Sequence, residues 1–117
     1  MAIRPPAVAG QFYEARAEEL ERSVRSYLES GGEPPVRAFG AVVPHAGYVY
    51  SGPVAGAVYA RLEIPETVVI LCPNHTGRGA PAALDPSDAW ETPLGKVPLD
   101  GELARRLRAR APAIEED

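Results

Sequence analysis

Two apolar runs that each end in a histidine, separated by one helix-length stretch, restrict this chain more than any other feature. The first is Ala41-Val42-Val43-Pro44-His45, and the second is Val68-Val69-Ile70-Leu71-Cys72-Pro73-Asn74-His75. Each run is brief and bounded by Pro or Gly, which reads as a strand buried on both faces rather than a helix. Strands are therefore expected over 38–43 and 67–72. Between them, Ser51 or Gly52 can cap a helix with Pro53 in its first turn, where a missing N–H costs nothing. That helix is expected to run to about Leu62 and to bury Val54, Val58 and Leu62. A strand, a long crossover and a second strand predict a parallel pair. Both carboxyl ends then share the edge at which open α/β folds bind ligands. Adjacent strands stand about 4.8 Å apart, so His45 and His75, the chain's two histidines, are expected to converge on one ion or one substrate.

The flanking segments fit the same α/β class, a mostly parallel sheet with helices packed on it. Leu20, Val24, Tyr27 and Leu28 recur at helical spacing, which predicts an amphipathic helix over 14–30 stopped by Gly31-Gly32. Ahead of it, residues 3–13 read as an extended arm turning at Gly10, with Phe12 and Tyr13 tucked against the core. Beyond Gly79 the pattern predicts a short strand at 82–84, a turn at 85–88, and an extended segment over 90–98 turning at Gly95. Asp100 is a good cap for a last helix carrying Leu103 and Leu107, closed by Pro112. Residues 114–117 have no evident partner.

Length and charge narrow the functional classes. A chain of 117 residues suits a single domain. No stretch approaches the roughly 20 apolar residues that span a bilayer, and the start lacks a secretory signal pattern; a cytoplasmic setting and no membrane partner are expected. One cysteine excludes an internal disulfide framework. A net charge of −4 argues against nucleic acid as a partner, which needs clustered Lys and Arg. The one basic cluster, Arg105, Arg106, Arg108 and Arg110, reads as the solvated face of a helix.

Chemistry concentrates at the two histidine loops. Histidine is the commonest metal ligand and the usual general base near neutral pH. Either histidine alone would read as an ordinary hydrogen-bonded loop residue; their shared position after successive strands is what points to a site. Tyr48, Tyr50, Ser51, Asn74 and Thr76 supply hydrogen-bonding groups nearby, some of them suited to orienting an imidazole. Cys72 falls inside the second expected strand and reads as a buried core thiol rather than a ligand. No Walker-type or dinucleotide glycine pattern is present, so phosphate cradling has little support.

Several motifs together carry a family resemblance. Arg4-Pro5-Pro6-Ala7-Val8-Ala9-Gly10-Gln11-Phe12-Tyr13, Val43-Pro44-His45-Ala46-Gly47-Tyr48, Pro73-Asn74-His75-Thr76-Gly77 and Trp90-Glu91-Thr92-Pro93-Leu94-Gly95, in this order, resemble the MEMO family, whose prokaryotic members are also called AmmeMemoRadiSam system protein B. The resemblance implies a fold similar to the catalytic subunits of class III extradiol dioxygenases, which are non-haem iron enzymes. It implies that His45 and His75 are metal ligands, and that a cysteine from much later in the chain completes an iron or copper site. It also implies AMMECR-type and radical SAM proteins as partners. Members of the family run well past the position of Asp117, so residues 1–117 read as the amino-terminal part of one larger domain whose third ligand lies beyond Asp117.

Two functional readings follow. One is a metal-dependent, dioxygenase-like redox protein acting on a small molecule that the sequence does not specify. The other is a non-catalytic module that binds a protein or peptide in the same pocket. An incomplete sheet with uncovered strand edges is also expected to self-associate into a homo-oligomer.

Overall fold

The computed structural model describes residues 1–29 and 32–117. Its elements run β1 (Ile3–Arg4), α1 (Ala17–Leu28), α2 (Tyr48–Ala60), β2 (Ala83–Leu84), β3 (Ala89–Thr92), β4 (Gly95–Pro98), α3 (Gly101–Arg110) and β5 (Glu115–Glu116). The architecture is mixed α/β, with three helices and two small sheets among the described residues. Two compact units emerge. One comprises Pro6–Glu66 with the hairpin tip Thr92–Gly95; the other comprises Met1–Pro5, Thr67–Glu91 and Lys96–Asp117.

The first unit is a helix pair with an arm. Helix α1 forms where the apolar stripe predicted it. Glu18 and Glu19 lie in its first turn and Arg25 in its last, which suits the helix dipole. Leu20 is its buried anchor. Of the expected glycine stop, Gly32 takes a left-handed φ of 79°, while Gly31 lies outside the described residues. The arm turns at Gly10, whose φ is 81° and whose N–H donates to the Tyr13 carbonyl at 2.8 Å. Tyr13 is half-buried as expected, whereas Phe12 is exposed.

Helix α2 starts at Tyr48, ahead of the predicted cap, because the arm supplies a partner: the Tyr48 N–H donates to the Phe12 carbonyl at 2.8 Å. Pro53 therefore falls inside the helix, where it removes one main-chain bond. The predicted buried face of α2 needs correction. Val54 is 59% exposed and Val58 and Leu62 are half-buried, while the fully buried positions are Ser51, Gly52 and Gly56. Tyr27 of α1 lies directly over the two glycines: a Cβ on Gly52 would stand 2.7 Å from its ring. Small residues one turn apart let the helices approach, and closeness outweighs side-chain hydrophobicity in choosing the contact face. Past α2 the chain is fastened to the segment before it. The Val36 N–H donates to the Arg61 carbonyl at 2.8 Å, and the Glu63 N–H to the Val36 carbonyl at 3.0 Å.

The second unit holds the strands. β1 pairs in parallel with β3, matching Ile3 to Ala89 and Arg4 to Trp90, and β4 follows β3 through a two-residue turn that Gly95 closes at a φ of 132°. β2 pairs in parallel with β5, so the segment read as partnerless at 114–117 in fact carries a strand. Asp85 joins these parts. It accepts from Arg4 Nη1 at 2.7 Å, the Ser87 N–H at 2.8 Å and Trp90 Nε1 at 2.9 Å. Burial opposes its charge, but the bonds from Ser87, Arg4 and Trp90 outweigh burial and hold the carboxyl well below the usual carboxylate range. Asp100 caps α3 as expected, accepting from the Leu103 N–H at 2.9 Å. The four arginines of α3 are exposed, and Arg108 pairs with Glu116 at 2.7 Å.

The two central strands of the sequence reading are not formed. Residues 38–43 and 67–72 run as irregular chain, outside any ladder. The reason is solvent. A strand read as buried on both faces needs cover on both, and here Val42 is 94% and Leu71 91% exposed. Cys72, expected to be a core thiol, is exposed for the same reason.

Candidate functional site

His45 and His75 fall in different units, and each is positioned by local chemistry. His45 sits on the exposed loop that leads into α2. Ser51, 7% exposed on the first turns of α2, donates from its hydroxyl to the Ala46 carbonyl at 2.8 Å and so ties that loop to the helix. Behind the loop lies a cavity of about 330 Å³ within the helical unit. Its walls are mostly apolar, including Val8, Phe12, Val24, Leu28, Val43 and Pro44, and His45 stands among them with Tyr48 and Ser51. A volume of this order suits a small ligand.

Four of the chain's five tyrosines line this cavity: Tyr13, Tyr27, Tyr48 and Tyr59. Tyr48 is the hub, with its ring centroid 5.4 Å from that of Tyr13 and 6.2 Å from that of Tyr27, the latter edge-on. Burial pushes the Tyr48 phenol up, and Tyr13 and Glu14 push it the same way. At neutral pH it is therefore a protonated group able both to donate and to accept. Tyr27 and Tyr59 escaped the sequence reading, which assigned Tyr27 to the apolar stripe of α1; the missed signal was the recurrence of tyrosine among helix-contact positions. Tyr50 departs from the expected set: it is 84% exposed and is not part of the cavity wall.

His75 lies on an exposed loop that is closed by its neighbour. Asn74 Oδ1 accepts from the Thr76 N–H at 3.0 Å, the Gly77 N–H at 2.9 Å and the Thr76 hydroxyl at 3.2 Å, and Asn74 Nδ2 donates to the Arg78 carbonyl at 2.7 Å. Thus His45, Tyr48 and Ser51 share one neighbourhood, and Asn74, His75 and Thr76 share another. The strand pairing that was to bring the two histidines to one edge is not formed, so their convergence has no support from a ladder.

Imidazole is a donor type that iron and copper accept. The donor number is smaller than such sites use: among the described residues, no group of three or more His, Cys, Asp or Glu side chains is placed to hold an ion.

The model of the family described as Memo-like protein matches residues 4–117. The chain belongs to the Memo family. Similar proteins include a MEMO1 family protein of Aquifex aeolicus, 50% identical over 109 residues, covering 92% of this chain and 40% of that protein. A MEMO1 family protein of Ignicoccus hospitalis is 49% identical over 130 residues, covering all of this chain and 46% of that protein. One from Methanothermobacter thermautotrophicus is 46% identical over 126 residues, with 98% of this chain and 46% of that protein covered. The Memo chain thus spans less than half the length of these relatives. Among its described residues, no helix is long and apolar enough to cross a membrane.

Proposed function

We propose that residues 1–117 are the amino-terminal part of one Memo-type α/β domain and that His45 and His75 furnish two ligands of an iron or copper centre in a dioxygenase-like redox protein. The observation that carries this reading is the repeated placement of a Pro and a His at the end of each of the two apolar runs, with both histidines on exposed loops that an ion can reach. A third donor is assigned to a segment beyond Asp117. When bound, such an ion would supply Lewis acidity and a redox couple. The chain's own residues do the rest: Ser51 fixes the His45 loop, the protonated Tyr48 phenol offers a hydrogen bond, and the apolar cavity walls limit water around a small-molecule substrate. Anaerobic titration with Fe(II), and separately with Cu(II), tests the reading. The protein is expected to bind more tightly than a His45→Ala, His75→Ala double variant, and equal binding by the two would sink the proposal.

A second reading rests on a different observation. Val49, Tyr50 and Val54 leave an apolar and aromatic strip of α2 exposed, a surface suited to a protein or peptide such as an AMMECR-type or radical SAM partner. In that case Tyr50→Ala should abolish capture of the partner while metal content stays constant.

A further inference from the structure

The cavity of the helical unit is selective in charge. Its walls include no lysine or arginine among the described residues, and His45 is the one basic side chain on them. What the walls offer instead is aromatic: Tyr13, Tyr27, Tyr48 and Tyr59 border a volume of about 330 Å³. The Tyr48 ring lies 5.4 Å from that of Tyr13 and 6.2 Å from that of Tyr27 between centroids. Clustered electron-rich rings attract an organic cation and at the same time bury its apolar body. A second observation gives the polar end of the ligand. Glu14 follows the wall residue Tyr13 in the chain, and its Oε2 is buried with no hydrogen-bond partner among the described residues. The charge of Glu14 is felt at the wall, since it is one of the groups that push the Tyr48 phenol up. A buried carboxylate oxygen left without a partner is costly, and such an atom marks a place where a donor from outside the chain belongs.

The geometry points to a binding site for a small primary ammonium that carries an aromatic or aliphatic body: the body occupies the apolar cavity among the tyrosine rings, and the ammonium donates to Glu14 Oε2. The unpaired oxygen decides between kinds of cation. A quaternary ammonium satisfies the rings but has no N–H to give, whereas a primary ammonium has three, as a lysine does. The volume lies at the small end of ligand pockets, which suits one ring with a short chain. A carboxylate ligand would bring a second negative charge toward Glu14 and leave Oε2 unpaired. The site involves no metal, so it goes beyond the ion-binding role proposed for the histidines and stands or falls apart from it.

Phenethylamine is the probe, measured by titration calorimetry at neutral pH beside phenethyl alcohol, hydrocinnamate and the trimethylated phenethylammonium. The amine should bind about tenfold tighter than the alcohol, the difference a charge-assisted hydrogen bond supplies, with hydrocinnamate the weakest of the four and the quaternary analogue weaker than the amine. Glu14→Gln should cut the amine's affinity about tenfold and leave that of the alcohol unchanged, with the far-UV circular dichroism melt of the variant showing that it folds. Binding of the amine no tighter than that of the alcohol, hydrocinnamate as the tightest ligand, or no binding by any of the four overturns the inference. An amine affinity unmoved in Glu14→Gln overturns it as well, by showing that water already serves Oε2. A loss shared equally by amine and alcohol in Glu14→Gln, or one that accompanies a collapsed melt, replaces charge recognition by packing and likewise overturns it. No arm contains metal, so each of these outcomes leaves the Fe(II) and Cu(II) titrations to decide the histidine reading on their own.

Discussion

Replacing Gly56 with alanine tests whether the two helices meet through main-chain closeness. A Cβ at this position would lie 2.6 Å from Tyr27 Cβ and closer still to the Tyr27 carbonyl, so it meets backbone that cannot swing aside. Alanine in mid-helix gains about 0.5–1 kcal/mol over glycine, but overpacking a filled contact costs about 1–3 kcal/mol and more where the obstacle is rigid. The net expectation is a loss of about 2 kcal/mol. Gly52 gives the contrast. Its added Cβ would stand 2.7 Å from ring carbons of Tyr27, and a ring can rotate or shift, so Gly52→Ala should lie within about 1 kcal/mol of wild type. Gly101 gives the control: nothing lies within 4 Å of its added Cβ, and alanine there should stabilise α3 slightly. Urea unfolding followed by far-UV circular dichroism ranks the three variants. Wild-type stability in Gly56→Ala, or a greater loss in Gly52→Ala, would refute the account of the crossing.

Three other perturbations give measurable outcomes. Asp85→Ala should cost about 2 kcal/mol, because the half-buried Trp90 indole N–H loses its acceptor. The folded Asp85 carboxyl is held below its unfolded value of about 4, so its stabilisation is complete above that pH and is lost as pH falls below it; urea midpoints of the variant should accordingly vary less between about pH 6 and about pH 3 than those of wild type. Asp100→Ala removes the cap of α3 and should lower stability by about 1 kcal/mol in the same assay. Cys72 is exposed, so a thiol reagent should modify it in the folded protein without denaturant; protection until unfolding would contradict its placement.

Local signals in this sequence read well, and long-range ones did not. All three helices were visible, α1 from its apolar stripe and α3 from Asp100, Glu102 and the late arginines, because such patterns act within a turn or two. The start of α2 was misplaced because the Phe12 carbonyl that receives the Tyr48 N–H lies far back in the chain. The strands over 38–43 and 67–72 were read from composition, which reports a preference for burial but not the presence of cover. Ser51 and Asn74, singled out for their hydrogen-bonding groups, do bond to the main chain of their own loops. The place of Tyr50 was not legible: Tyr48 and Ser51 line the cavity, while Tyr50 lies with Val49 on the exposed side of the helix.

Val36 itself is fastened to residues 61–63 through main-chain groups, while side chains of Arg61 and Glu63 hold its neighbours Glu33, Pro34 and Arg37. Substitution can therefore wander freely at Val36, with proline the one residue that removes a donor. A contact built this way leaves little trace in sequence motifs, so family comparisons would rank Val36 as unconstrained. Val36→Pro should nonetheless loosen the segment's hold on the end of α2 by removing the bond to the Arg61 carbonyl, while Val36→Thr should pass unnoticed.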